Sequence, residues 1–242
     1  MSDQLSRLGQ YLFHIRNAFV PTVIVILLLL WPPVPMGDRP GDLFLPIGLL
    51  LIVLGQTLRM LTIGLDYIIR GGKNRKIHAE DLVTGGIFAH TRNPMYLGNL
   101  LLAEGCLLVS GNLMAILVGS IFFLGFYRLI VHSEECFLQE KFKDGYLAYC
   151  ANVPRWIPRV EGLRDTIREY HFDWPGVITK EYGTIYISSM IPLALIAWKL
   201  HLGNRLDDYQ SLLITLAVFF TSAWAIARFL KKTERIKSLR SS

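Results

Sequence analysis

Two clusters of residues have the types and spacing to hold a charged small molecule. The first lies in residues 82–99, where a polar, glycine-bearing loop runs into an apolar stretch. Asn93 is a good helix N-cap, and Pro94 fits the first helical position, where its missing N–H costs nothing. A helix starting there presents unpaired N–H groups and a partial positive charge, which favour an anion. Arg92 stands just before that start. Tyr96 and Asn99 follow at spacings of four and three, which predicts that all three share one face. The second cluster is Glu134-Glu135, followed by Tyr146, Tyr149 and the run Val153-Pro154-Arg155-Trp156-Ile157-Pro158. Paired carboxylates suit an ammonium or hydroxyl groups; Arg92 and the helix start suit a carboxylate; Phe88, Tyr96, Tyr146 and Tyr149 suit an apolar ring. Neighbouring residues on a helix point ~100° apart, so the two glutamates cannot make the same contacts. One is expected to face the bound molecule and the other to brace Arg92 or nearby backbone.

Membrane helices must position these side chains. The chain has 242 residues, 52% of them hydrophobic, with apolar runs such as 23–30 and 212–220 that are too long for surface segments. That composition predicts an all-α polytopic membrane protein. Leu5, Leu8, Leu12 and Ile15 repeat at helical spacing beside Arg7 and Arg16, predicting an interfacial helix over 3–17. Six spans are expected, over 18–35, 42–66, 94–110, 114–132, 185–200 and 210–229. Only Gly111, Asn112 and Leu113 separate the third span from the fourth, which makes a tight helical hairpin. Residues 133–149 continue as an amphipathic helix with Leu138, Phe142, Tyr146 and Tyr149 on one face, ended by Pro154 and Pro158. Residues 159–180 mix aromatic and charged side chains and are expected along the headgroups. The chain thus divides into 1–81, with the interfacial helix and two spans, 82–160, with both clusters, and 161–242, with the last two spans.

The formal net charge of +6 does not point to nucleic acid, because the basic residues lie mostly in loops between apolar segments. Stretches 67–92 and 133–183 and the C-terminal tail hold most of the Lys and Arg, while 36–42, 111–113 and 201–209 hold few. The positive-inside rule then places both termini and both clusters in the cytosol. No cleavable signal is expected, because the first apolar run lacks a small-residue cleavage site and is followed by Trp31-Pro32-Pro33. The three cysteines have no disulfide or zinc spacing, and no metal site is expected. Two ionisable residues sit inside spans. Arg59 shares a face with Thr62 and Asp66, with Gln56 close by; it either snorkels or pairs with Asp66, or its stripe walls the cofactor pocket. Glu104, in the middle of the third span, is either functional or a hydrogen-bonded structural group.

Gly86, Phe88, Arg92, Asn93, Pro94, Tyr96 and Gly98 resemble the loop-to-helix motif of the integral-membrane methyltransferases, the isoprenylcysteine carboxyl methyltransferases and phospholipid methyltransferases. Glu134, Glu135, Leu138, Phe142, Tyr146, Tyr149 and the Val153–Pro158 run resemble their second motif, in the same order and spacing. Asn93 departs from the prenylcysteine branch, which usually has His there, whereas the Val-Pro-Arg-x-Ile-Pro ending is closer to that branch. The resemblance implies S-adenosyl-L-methionine as cofactor, held by Gly86, Phe88, Arg92, Asn93, Pro94, Tyr96, Glu134, Glu135, Tyr146 and Tyr149. It implies Arg92, Glu135 and Arg155 as the catalytic set, Arg155 being a candidate for an acceptor carboxylate. The acceptor would be a membrane lipid or lipidated molecule, either a prenylcysteine carboxylate or a lipid head group. An NADPH-dependent membrane sterol-type reductase shares an Asn-Pro-x-Tyr stretch, but the paired glutamates favour the methyltransferase. A non-enzymatic membrane scaffold would bind neither cofactor.

Overall fold

Apolar stretches bounded by proline, glycine and capping residues become helices here, and no strand forms among the described residues. The computed structural model describes residues 2–37, 39–65, 81–233 and 235–236. The helices are α1 (Ser2–Leu30), α2 (Arg39–Leu65), α3 (Pro94–Ser110), α4 (Leu113–Asn152), α5 (Leu163–Glu169), α6 (Trp174–Leu202) and α7 (Leu206–Lys232). A short 3-10 turn, Gly86–Ala89, precedes α3. Helices α2, α4, α6 and α7 are long and apolar enough to cross a membrane. In α1 the segments Leu8–Arg16 and Ala18–Leu30 meet at 81°, and together, as a broken span or a re-entrant loop, they make a fifth candidate. Helix α3, at 17 residues, is a shorter apolar helix. The all-α polytopic class is as expected.

Helix α3 packs most closely on α2. Gly48 and Gly55 on α2 face Gly105 and Gly98 on α3 in antiparallel order, and a β-carbon on Gly55 would stand 2.7 Å from the Gly98 carbonyl oxygen. Small residues at such a seam let helix backbones approach in a membrane. The α3–α4 turn is tight because Gly111 takes φ 71°, a left-handed conformation that glycine adopts without steric cost. Asn112 then caps α4, its side chain accepting from the N–H groups of Met114 and Ala115. Past its apolar half α4 runs on without a new start, broken only at Lys143, where φ is 45°. Leu138, Tyr146 and Tyr149 pack there as a small buried cluster with Phe142 against its edge.

The structure revises three element expectations. The first span ends at Leu30, and Trp31 to Pro35 lie beyond the helix. The fifth begins at Trp174, eleven residues before the expected start, because Asp173 caps it by accepting from the Gly176 N–H and Pro175 fits its first turn. Residues 163–169 form the short α5 ahead of it. The start of α6 docks on the end of α2: the Asp173 N–H donates to the Gly64 carbonyl at 2.9 Å, and the Phe172 ring fills the space where a β-carbon on Gly64 would lie. At the far end Lys199 of α6 is fully buried, 3.6 Å from Asp42 of α2.

Candidate functional site

The stretch before α3 is stitched to the run that follows α4. The Arg92 N–H donates to the Pro154 carbonyl at 2.9 Å, the Arg159 N–H to the His90 carbonyl at 2.9 Å, and the Thr91 hydroxyl to the Trp156 carbonyl at 3.1 Å. The Tyr149 hydroxyl donates to the Phe88 carbonyl at 2.7 Å. The prolines of 153–158 stop the helix, and the extended segment's carbonyls are thereby freed to accept these bonds. His90 is buried beneath the junction, bonded to the Arg159 carbonyl and the Thr166 hydroxyl, and so reads as a structural residue.

Glu135 sits at the centre of this junction. Its carboxylate lies 2.8 Å from Arg155 Nη2 and 3.7 Å from Arg92 Nη1, and it accepts from the Asn93 amide at 3.3 Å. Burial disfavours the Arg92 charge, but Glu135 and the Cys150 sulfur, which accepts from Arg92 Nη1, raise its pKa above the ordinary value. The guanidinium is therefore cationic throughout the working pH range. The Nε atoms of Arg92 and Arg155 are buried and have no hydrogen-bond partner among the described residues. Each guanidinium thus keeps one donor unused within the junction.

Glu134 points the other way. It is buried in the wall of a cavity of about 650 Å³ together with Phe88, Asn93, Pro94 and Tyr96. The same cavity is lined by Arg59 and Thr62 from α2, Asn99 from α3, Tyr127 from α4 and Glu181 from α6. Its volume falls within the range of small-molecule sites. The two glutamates thus diverge, as their ~100° separation requires.

Several expected placements are corrected. Asn93 occupies the N-cap position, but its side chain makes no capping bond; its amide donates to Glu135 and, at 3.3 Å, to the Arg155 carbonyl. Arg92 does not share a face with Tyr96 and Asn99, because it precedes the helix and helical spacing does not govern it. Its side chain turns to Glu135 and Cys150, whereas Tyr96 and Asn99 line the cavity. Arg92, Arg155, Glu135, Tyr146, Tyr149 and Gly86 lie outside the cavity lining, Tyr146 and Tyr149 in a separate buried cluster and Gly86 in the buried 3-10 turn. Arg59 pairs with Glu181; Asp66, along with His78 and Glu80, lies outside the described residues. Glu104 accepts from the Ser120 hydroxyl at 2.6 Å, tying α3 to α4 away from the cavity.

Glu181 is the residue that sequence reasoning missed. It is 2% exposed, and its carboxylate takes Arg59 Nε at 2.9 Å and Nη2 at 2.6 Å. The signal for it was the Asp173-Trp174-Pro175 helix start, which places residue 181 two turns inside α6.

Comparison with known proteins agrees with the two motifs. Residues 44–145 match the phospholipid methyltransferase family. The protein-S-isoprenylcysteine O-methyltransferase of Schizosaccharomyces pombe is 34% identical over 113 residues, which make up 45% of this chain and 47% of that protein. Proteins of the same name from Xenopus laevis and Homo sapiens are 28% and 30% identical over 123 and 122 residues, covering 49% and 48% of this chain and 42% of each relative. The chain thus spans less than half the length of these curated relatives. No solved structure matches it. The resemblance to integral-membrane methyltransferases is borne out.

Proposed function

Because residues 44–145 match the phospholipid methyltransferase family and both motifs meet at one carboxylate, we propose that the protein transfers a methyl group from S-adenosyl-L-methionine to a membrane-embedded amphipathic acceptor, a prenylcysteine-type carboxylate. The observation that carries this reading is Glu135, held between Asn93 of the first motif and Arg155 of the second. The donor set fits the cofactor. Its carboxylate matches Arg92 and Arg155, whose Nε atoms are buried without partners among the described residues. Its ammonium and ribose hydroxyls match Glu134, and its adenine matches an apolar wall that includes Phe88 and Tyr96.

When bound, S-adenosyl-L-methionine supplies an electrophilic sulfonium methyl group, whose bond to sulfur breaks as one to an acceptor oxygen forms. The chain's residues supply position and dryness. Glu135 fixes two guanidiniums and an amide in one arrangement, so their orientation is set before a ligand arrives. The walls of α1, α3 and α6 exclude water from the reacting atoms. An ionised carboxylate acceptor has no proton to lose, so a general base is not required. The charge distribution of the loops supports an orientation with both termini and both motifs in the cytosol.

Binding of S-adenosylhomocysteine to the detergent-purified protein tests the reading. The parent is expected to bind it and not NADPH. Glu134→Gln keeps the shape and removes the charge, and a charged hydrogen bond contributes roughly 1.5–3 kcal/mol. The variant is expected to bind about tenfold more weakly while staying monodisperse. Binding of NADPH in place of S-adenosylhomocysteine, or of neither, would overturn the assignment.

A further inference from the structure

Glu181 lies outside the segment that matches the family, yet it reaches into the cavity from α6 and holds Arg59 there. A guanidinium has five N–H donors in a fixed plane. Glu181 takes one from Nε and one from Nη2, and Asn99 takes one from Nη1, leaving two of the five. Glu181 has the Gln56 amide as a further partner at 3.3 Å, and Gln56 in turn accepts from the Ser188 hydroxyl at 3.0 Å. Arg59 of α2 is therefore held from two other helices, α3 and α6.

The charge of the wall is not balanced by this pair. Arg16, Lys180 and Lys231 also line the cavity, and the other acid lining it is Glu134. Val20 and Ile24 of α1, Cys106 of α3 and Ile191 of α6 add an apolar share to the lining. The cavity lining thus carries four cations against two acids beside its apolar residues, complementary to an oxyanion joined to a hydrocarbon tail. Arg155, the sequence's candidate for the acceptor carboxylate, does not line the cavity.

We infer that Arg59, fixed by Glu181 and Asn99, is the anchor for the acceptor's carboxylate, and that α6 completes the acceptor site. The choice of a carboxylate rests on the methyl-transfer reading above. A planar fork distinguishes an ionised acid from its ester, because the ester has lost both its charge and one good acceptor. The anchor therefore favours unmethylated acceptor over methylated product.

The test titrates N-acetyl-S-farnesylcysteine and its methyl ester into the full chain in detergent, following binding rather than turnover. The parent is expected to hold the acid about tenfold or more tighter than the ester, the scale of a charged hydrogen bond. Arg59→Lys keeps the ion pair but loses the fork, and the acid preference is expected to drop severalfold. The double variant Arg59→Gln/Glu181→Gln leaves no buried charge unpaired; it is expected to stay folded and lose the preference. A parent without acid preference, or a folded double variant that retains it, overturns the inference. Lysophosphatidylethanolamine, titrated the same way, identifies the source of the oxyanion as the ligand whose affinity depends on Arg59; dependence by neither also overturns it. S-adenosylhomocysteine binding in the same samples keeps the two readings apart. Its absence from the parent sinks methyl transfer without touching the acid–ester comparison, and its loss in the double variant alone reduces Arg59 to a general structural support.

Discussion

Glu135→Ala is expected to lower methyl transfer by about two orders of magnitude or more, with little loss of folded protein. One carboxylate holds Arg155, Arg92 and the Asn93 amide, so a single truncation releases three donors. Charged hydrogen bonds contribute roughly 1.5–3 kcal/mol each, and losing more than one coordinated contact makes a drop of about a hundredfold the expected scale. The fold should survive, because the backbone bonds joining residues 90–92 to 154–159 and the Tyr149–Phe88 bond do not involve Glu135. Initial rates with a prenylcysteine analogue, alongside thermal unfolding in detergent, check both halves. Parent-like turnover in Glu135→Ala would reduce the carboxylate to a charge at a helix end.

The second large effect is on stability. Glu181→Leu leaves Arg59 charged and buried without its counterion, and breaking one partner of a buried ion pair costs about 3–5 kcal/mol. The side chains of Arg59 and Glu181 are 9% and 3% exposed, so solvent cannot stand in for the missing carboxylate. The expected result is a sharply lowered unfolding temperature or aggregation on detergent extraction. Replacing both residues, as Arg59→Met/Glu181→Leu, removes the stranded charge and is expected to recover most of the lost stability, because apolar replacements of buried ion pairs are often neutral. A Glu181→Leu protein that melts like the parent would mean that the pair is solvated in the membrane-embedded protein.

How much of this is legible in the sequence depends on the range of the signal. The limits of α3, residues 94–110, follow from Asn93-Pro94 at one end and Gly111 at the other, both local and backbone-determined. The divergence of Glu134 and Glu135 follows from helix geometry alone. The direction of the Asn93 amide does not follow, because capping competes with Glu135, and Glu135 arrives from a helix 42 residues away. Arg92 misleads for a related reason: counting by fours from a residue outside the helix carries no angular meaning. The partner of Arg59 is 122 residues distant, and hydropathy leaves that partner ahead of the expected fifth span because Lys180 and Glu181 dilute the first turns of α6. The helix-start residues there are a stronger indicator than the mean hydropathy around them.

The seam between α2 and α3 has a consequence for how the motif can vary. A β-carbon on Gly98 would lie 2.6 Å from Cγ of Arg59, so the glycine of the first motif marks the place where another helix's arginine crosses. Positions 59 and 98 are then coupled. Gly98→Ala should be costly in the parent and less so once Arg59 is shortened, the Gly55 carbonyl oxygen still standing 3.0 Å from the added carbon, so that a double-mutant cycle gives a non-zero interaction energy of the size contacting residues show, about 0.5–3 kcal/mol. Across relatives the two positions should covary: a short residue at 59 relaxes the demand for glycine at 98, while a long one enforces it. The seam also sets a condition on substitutions: enlarging position 98 first strains the packing, and trimming position 59 first strands the buried Glu181 unless that residue changes with it.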